Sequence, residues 1–164
     1  MGPELLGRLV DQHAAALVLY ARQWCAVPED VVQESFLKLV VQRQAPDKPL
    51  PWLYRVVRNA AISAARTARR RQRHEAAAAA QAPMWFTADT EGLDGAAATA
   101  ALQALPLEER EVIVVHLWGG LTFEQIAEVA GCSCSTAHRR YVAGLATLRE
   151  RLGILCPNQR TTRT

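Results

Sequence analysis

Two basic blocks hold the residues of this chain best suited to chemistry. In RVVRNAAISAARTARRRQR, arginines stand at 55, 58, 66, 69, 70, 71 and 73, and residues 55–74 contain no acid. In SCSTAHRRYVAGLATLRERL, Ser135, Thr136, His138, Arg139 and Arg140 crowd the start of a second segment. Guanidinium groups bind phosphate oxygens bidentately, and hydroxyl, imidazole and guanidinium groups at a helix start match the hydrogen-bonding edges of bases. The blocks are separated by acidic sequence: residues 75–109 carry acids and no Lys or Arg. The net charge of +3 over 164 residues therefore conceals two cationic patches. Two such patches, each in a helical segment, fit one polyanion gripped at two places.

Other chemistries find less support. Cys25, Cys132, Cys134 and Cys156 match no paired C-x-x-C framework, so neither a metal nor another cofactor is expected. Cys132 is expected to pack inward and Cys134 to fill a small apolar slot. A thiol sensor built on these two with His138 lacks supporting partners, and no nucleophile, base and orienting group recur together elsewhere, so no enzyme activity is expected. The apolar runs stop short of the roughly 18 residues of a membrane span. Glu4, Arg8 and Asp11 interrupt the N-terminal apolar pattern in the manner of an amphipathic helix rather than a signal peptide, which makes the expected location cytoplasmic.

The elements that must position the two blocks are all helical by pattern. Leu5, Leu6, Leu9, Val10, His13, Leu17, Tyr20, Ala21 and Trp24 fall near helical spacing. Pro28, with Glu29 and Asp30 behind it, opens a second helix whose Val32, Phe36, Leu39 and Val40 form the expected inward stripe. Three prolines in Ala45–Pro51 predict a stiff loop, with a third helix resuming at Trp52 and its polar end leaving the core. Residues 75–97 read as a linker, with Met84, Trp85 and Phe86 as a hydrophobic tack onto one domain. Four short helices follow from about Ala98, punctuated by Pro106, Gly119-Gly120, a Thr122/Gln125 capping box and Gly131.

The expected fold class is all-α: two small helical domains, residues 1–74 and 98–153, joined by a flexible linker and followed by a tail over 154–164. The last two helices form a helix-turn-helix. In its second helix Ala137, Tyr141, Leu145 and Leu148 recur on one side and should face inward. Ser135, Thr136, His138, Arg139 and Val142 then face outward, with Arg140 at the flank.

DVVQESFLKL (Asp30–Leu39) with PWLYRVVRNAAISAARTARRR (Pro51–Arg71) resembles region 2 of the extracytoplasmic-function (ECF) sigma factors of bacterial RNA polymerase. ALPLEEREVIVVHLWGGLTFEQIAEVAGCSCSTAHRRYVAGLATLRERL resembles their region 4. The resemblance implies a cytoplasmic, non-catalytic subunit that binds core polymerase through the beta-prime clamp helices and the beta flap, is held by an anti-sigma factor, and recognises the −10 and −35 promoter elements. It assigns Asp30, Gln33, Glu34 and Leu37 to the clamp helices. Trp52, Arg55, Arg58, Asn59, Arg66, Arg69 and Arg70 go to the opened −10 strand, with core packing the other role open to Trp52. Ser135, Thr136, His138, Arg139 and Arg140 go to the −35 duplex. Two departures stand out: Ser63 where the family commonly has aspartate, and Ala143-Gly144 where a basic residue is common. A transcriptional regulator that uses the helix-turn-helix without polymerase is the competing reading.

Overall fold

The computed structural model describes residues 2–74 and 95–153 of the chain. These form seven helices: α1 (Pro3–Ala21), α2 (Pro28–Val40), α3 (Pro49–His74), α4 (Gly95–Gln103), α5 (Leu107–Leu117), α6 (Phe123–Ala130) and α7 (Cys134–Arg151), with no strand among the described residues. The linker core, its Met84-Trp85-Phe86 triplet and the tail from residue 154 lie outside the described residues.

The helix boundaries follow local chemistry. Pro3 and Pro28 each stand in a first turn, where a missing N–H removes no helical hydrogen bond, and Glu4, Glu29 and Asp30 meet the positive end of the helix dipole. The same tolerance corrects the third helix, expected from Trp52. It begins at Pro49, so Pro49 and Pro51 belong to its first turn rather than to the loop. The fourth helix likewise begins at Gly95, inside the expected linker and ahead of Ala98.

Side-chain orientation departs from expectation at the edges of the stripes. In α2, Val31, Val32, Ser35, Phe36 and Leu39 are buried, whereas Val40 faces solvent. Ser35 is tolerated inside because its hydroxyl donates to the Val31 carbonyl at 2.7 Å. Leu5 and Val10 sit at the exposed margin of α1, while Leu9, Leu17 and Tyr20 are buried.

The core is continuous across both halves of the chain. Leu17 and Tyr20 of α1, Leu39 of α2 and Leu53, Tyr54 and Val57 of α3 join Val112, Val114 and Val115 of α5, Leu121, and Ile126 of α6 in one cluster. Contact between the halves runs through α1 against α5 and α3 against α6. Residues Glu111 to Val115 are all buried, so α5 lacks a solvent face along that stretch and requires cover from both halves.

Candidate nucleic-acid interface

The helix-turn-helix is fixed by its caps. Thr122 Oγ1 accepts from Gln125 N at 3.4 Å, and Gln125 Oε1 accepts from Thr122 N at 3.0 Å, closing the capping box that starts α6. Gly131, at φ 68°, ends α6 in the left-handed region, where a side chain would be strained. Ser133 then caps α7 by accepting from Thr136 N at 3.1 Å.

Between these caps the turn presents α7 outward from its first residues. Ser135, His138, Arg139 and Val142 are exposed on it, and Ala137 is fully buried beneath. Tyr141, Leu145 and Leu148 of the expected inward stripe are half-buried. Thr136 is half-buried and its hydroxyl bonds to Ser133 at 2.8 Å, which commits it to the cap. Arg140 forms an ion pair with Glu108 of α5 instead of standing free at the flank.

An aromatic group sets the angle of α7. His116 stacks on Phe123 with centroids 4.6 Å apart and meets Tyr141 edge-on at 4.8 Å; Phe123 in turn meets His138 at 5.1 Å. His116 Nδ1 is also 2.8 Å from the Leu121 carbonyl oxygen, tying the α5–α6 turn to this group. Gly144 has a reason that helix propensity alone conceals. A Cβ there would stand 2.7 Å from Ile113 Cδ1 and 3.2 Å from Glu109 Cβ, so a side chain at 144 requires these two residues of α5 to shift. The family-atypical glycine is thus a packing residue.

The cysteines divide differently from expectation. Cys132 packs against the core. Cys134, expected in an apolar slot, is exposed at the first position of α7, with its thiol 3.7 Å from Glu124 Oε1. Its place at a helix start turns it away from the packed side. Desolvation, followed by the Glu124 carboxylate, raises its thiol above the ordinary range, opposite to the requirement of a reactive thiolate. No cluster of metal-ligating side chains is present among the described residues.

On α3 the arginines separate into two sets. Arg55, Asn59, Arg66, Arg69 and Arg70 are exposed. Arg55 and Trp52, with Pro46, Asp47, Lys48 and Pro51, line an open cleft of about 290 Å³ that Glu128 and Val129 of α6 also border. Trp52 is half-buried, packs against the core and also lines this cleft. Arg58, expected among the strand-contacting arginines, turns inward: its Nε donates to Glu111 Oε1 at 2.6 Å.

Tyr20 Oη donates to the same Glu111 oxygen at 2.6 Å, and the Arg58 guanidinium carbon lies 5.9 Å from the centre of the Trp24 ring. Burial works against the Arg58 charge, but hydrogen bonding and attraction to Glu111 outweigh it and hold the guanidinium above its ordinary range. Burial, reinforced by the Glu111 carboxylate, pushes the Tyr20 phenol well up, and burial does the same to Tyr54. Sequence reasoning missed Tyr20 and Glu111 as a polar pair. The available signal was the acid itself: Glu111 directly precedes the apolar run VIVV, in a helix too apolar to be half-exposed.

On α2, Asp30, Gln33, Glu34 and Leu37 are exposed, and Leu37 continues into the exposed Val40 and Val41 as an apolar strip edged by carboxylates. Asp30 and Glu34 also line a broad groove toward α3, whose far wall includes Asn59, Ser63 and Arg69. Ser63, the other departure from the family pattern, is exposed in that groove.

Comparison with known proteins agrees with this arrangement. Residues 9–71 match the Sigma-70 region 2 family and residues 96–148 the Sigma-70, region 4 family. The chain is 30% identical over 159 residues to the probable RNA polymerase sigma factor RfaY of Xanthomonas campestris, covering 89% of this chain but only 40% of that protein. It is 33% identical over 138 residues to the RNA polymerase sigma factor CarQ of Myxococcus xanthus, covering 79% and 77% of the two chains. Against the ECF RNA polymerase sigma factor SigL of Mycobacterium tuberculosis the identity is 32% over 154 residues, covering 88% and 87%.

Among solved structures, the sigma factor RpoE of Bartonella quintana, crystallised with the anti-sigma factor NepR, superposes with a TM-score of 0.72 at 22% identity, covering 93% of this chain and 99% of that one. CnrH, solved with the cytosolic domain of CnrY, gives 0.62 at 26%, covering 94% and 92%. With regions 2 and 4 in order on one all-helical chain, and relatives such as CarQ and SigL aligned over most of their length, this protein belongs to the ECF group of RNA polymerase sigma factors.

Proposed function

We propose that the chain is a dissociable subunit that binds core RNA polymerase and directs transcription initiation at promoters carrying matched −10 and −35 elements. The observation that carries this reading is the pairing, on one chain, of an exposed arginine face on α3 with an exposed hydroxyl, imidazole and guanidinium face at the start of α7. Arg55, Asn59, Arg66, Arg69 and Arg70, with Trp52 beside them, hold the opened −10 strand, since stacking and backbone charge are what a single strand offers. Ser135, His138 and Arg139 read the −35 duplex, with Thr136 positioning the helix that carries them. Arg58 and Arg140 join these surfaces only after leaving their carboxylate partners.

The strip of Leu37, Val40 and Val41 between Asp30, Gln33 and Glu34 docks on the beta-prime clamp helices, its apolar centre supplying affinity and its acidic margin orientation. The helix-turn-helix half meets the beta flap, and an anti-sigma factor competes for these faces. Catalysis belongs to the core enzyme, and the place of action is the cytoplasm. No described helix is long and apolar enough to cross a membrane. A regulator working without polymerase would have no use for the clamp-facing strip on α2. Gel filtration of the full chain mixed with core polymerase tests the choice: co-elution is expected, while absence of co-elution together with tight duplex binding by the chain alone would establish the regulator.

A further inference from the structure

We infer that Val142 reads a thymine by its C5 methyl, which makes an A·T pair part of the −35 element at the end served by the middle of α7. The inference rests on the proposed role of α7 and names what the later part of its reading face recognises. Val142 is 51% exposed, although it is a β-branched apolar side chain on a face that otherwise carries Ser135, His138 and Arg139. These four stand at i, i+3, i+4 and i+7, so they line one side of the helix. It is also the spacing at which the recognition helix of a homeodomain presents its base-reading side chains.

The chemistry of this face changes along its length. As far as Arg140 it offers hydroxyl, imidazole and guanidinium groups. From Tyr141 to Leu148 the sequence is YVAGLATL, without a charge. Tyr141 is held against His116 and Phe123, and the Thr147 hydroxyl donates to the Ala143 carbonyl at 3.2 Å. Gly144 is buried against α5. What this stretch turns outward is the Val142 side chain and the methyls of Ala143 and Ala146, all exposed.

Such a surface cannot pair with the donors and acceptors of a base edge. In the major groove the thymine C5 methyl is the apolar group of the recognition code. Valine and methyl exclude water from each other, whereas the edge of another base leaves the valine against polar atoms. Along α7, Ser135 and Val142 are about 10 Å apart, which is about three base pairs of duplex. One helix in the groove therefore serves polar reading at one end and methyl reading at the other. A protein partner for Val142 would need a wider apolar patch, but its neighbours on α7 are His138, Arg139 and the two alanines.

The test uses the full chain bound to core polymerase. Selection from a randomised promoter pool yields the tightest-bound −35 sequence, and that duplex is remade with uracil in place of each thymine in turn, which removes only the C5 methyl. Competition binding is then measured for the native chain, Val142→Ala and Val142→Thr. At one thymine, or at two adjacent ones, uracil is expected to weaken binding by the native chain about fourfold, the worth of one buried methyl. The same uracil should cost Val142→Ala less than about 1.5-fold, and Val142→Thr, which keeps one of the two methyls, about twofold. A selected −35 element without thymine, uracil tolerated by the native chain at every position, or a penalty that persists undiminished in Val142→Ala overturns the inference. The native-chain measurements stand whatever the variants do to folding. Selection that yields no preferred −35 sequence would instead overturn the reading of α7 itself, so the two failures are told apart.

Discussion

At the scale of single residues, Gly144 and the buried tyrosines give the sharpest tests. Alanine normally stabilises an exposed helix interior by about 1 kcal/mol over glycine. At position 144 the added methyl meets Ile113 Cδ1 at 2.7 Å, so Gly144→Ala is expected to destabilise the chain by about 1–3 kcal/mol, seen as a lower urea midpoint. A higher midpoint would show that α5 and α7 can move apart freely.

Tyr20 and Tyr54 have phenol pKa values raised by burial. A group with a raised folded pKa contributes stability that is complete below its unfolded value near 10 and is lost as pH rises through the folded value. The urea midpoint is therefore expected to fall above about pH 10. Phenolate absorbance should show Tyr20 and Tyr54 resisting ionisation in the native chain but not in urea.

At the scale of elements, the readability of the sequence followed the range of the interactions. Caps are local: Pro28, the Thr122/Gln125 box and Gly131 specify their helix ends within a few residues, and all were legible. The helix-turn-helix and its outward residues followed from the same short-range rules. Arg55 and Arg58 look alike in sequence and, three residues apart, lie on neighbouring parts of one helix face; what separates them is Glu111, a partner 53 residues from Arg58 that claims its guanidinium. Arg140 was similarly unreadable, because Glu108, 32 residues away, claims it; the commitment of Thr136 is local, to Ser133 three residues before it, and sequence reasoning missed it. The start of α3 was misplaced because a proline cluster looks the same in a loop and in a first turn.

Two substitutions test the elements as working surfaces. Arg139→Ala on α7 is expected to cost about 1–3 kcal/mol in discrimination among −35 duplexes if it reads a base edge, and to weaken all duplexes equally if it holds only phosphate. Competition binding distinguishes these outcomes. Leu37→Asp on α2 should weaken core-polymerase binding roughly tenfold or more, the loss of a buried apolar anchor. Thermal melting should be unchanged, because Leu37 is 59% exposed in the free chain. Unweakened polymerase binding would move the docking face elsewhere.

At the scale of the whole molecule, one continuous core joins two halves whose proposed tasks lie far apart on DNA. The sequence pattern indicated two helical groups but not their mutual packing, since a linker constrains how far domains can separate and not how they associate. The apolar α5 is the physical reason they pack: with Val112 to Val115 almost wholly inaccessible, it is covered from α1 as well as from its own half. The result is one compact body that joins the two halves through α1 against α5 and α3 against α6.

Run-off transcription from a randomised promoter pool, with purified core polymerase and the full chain, measures the central claim directly. Transcripts are expected only when the chain is present, from templates enriched in two separated motifs. Core polymerase that remains silent over the whole pool with the chain added would contradict it.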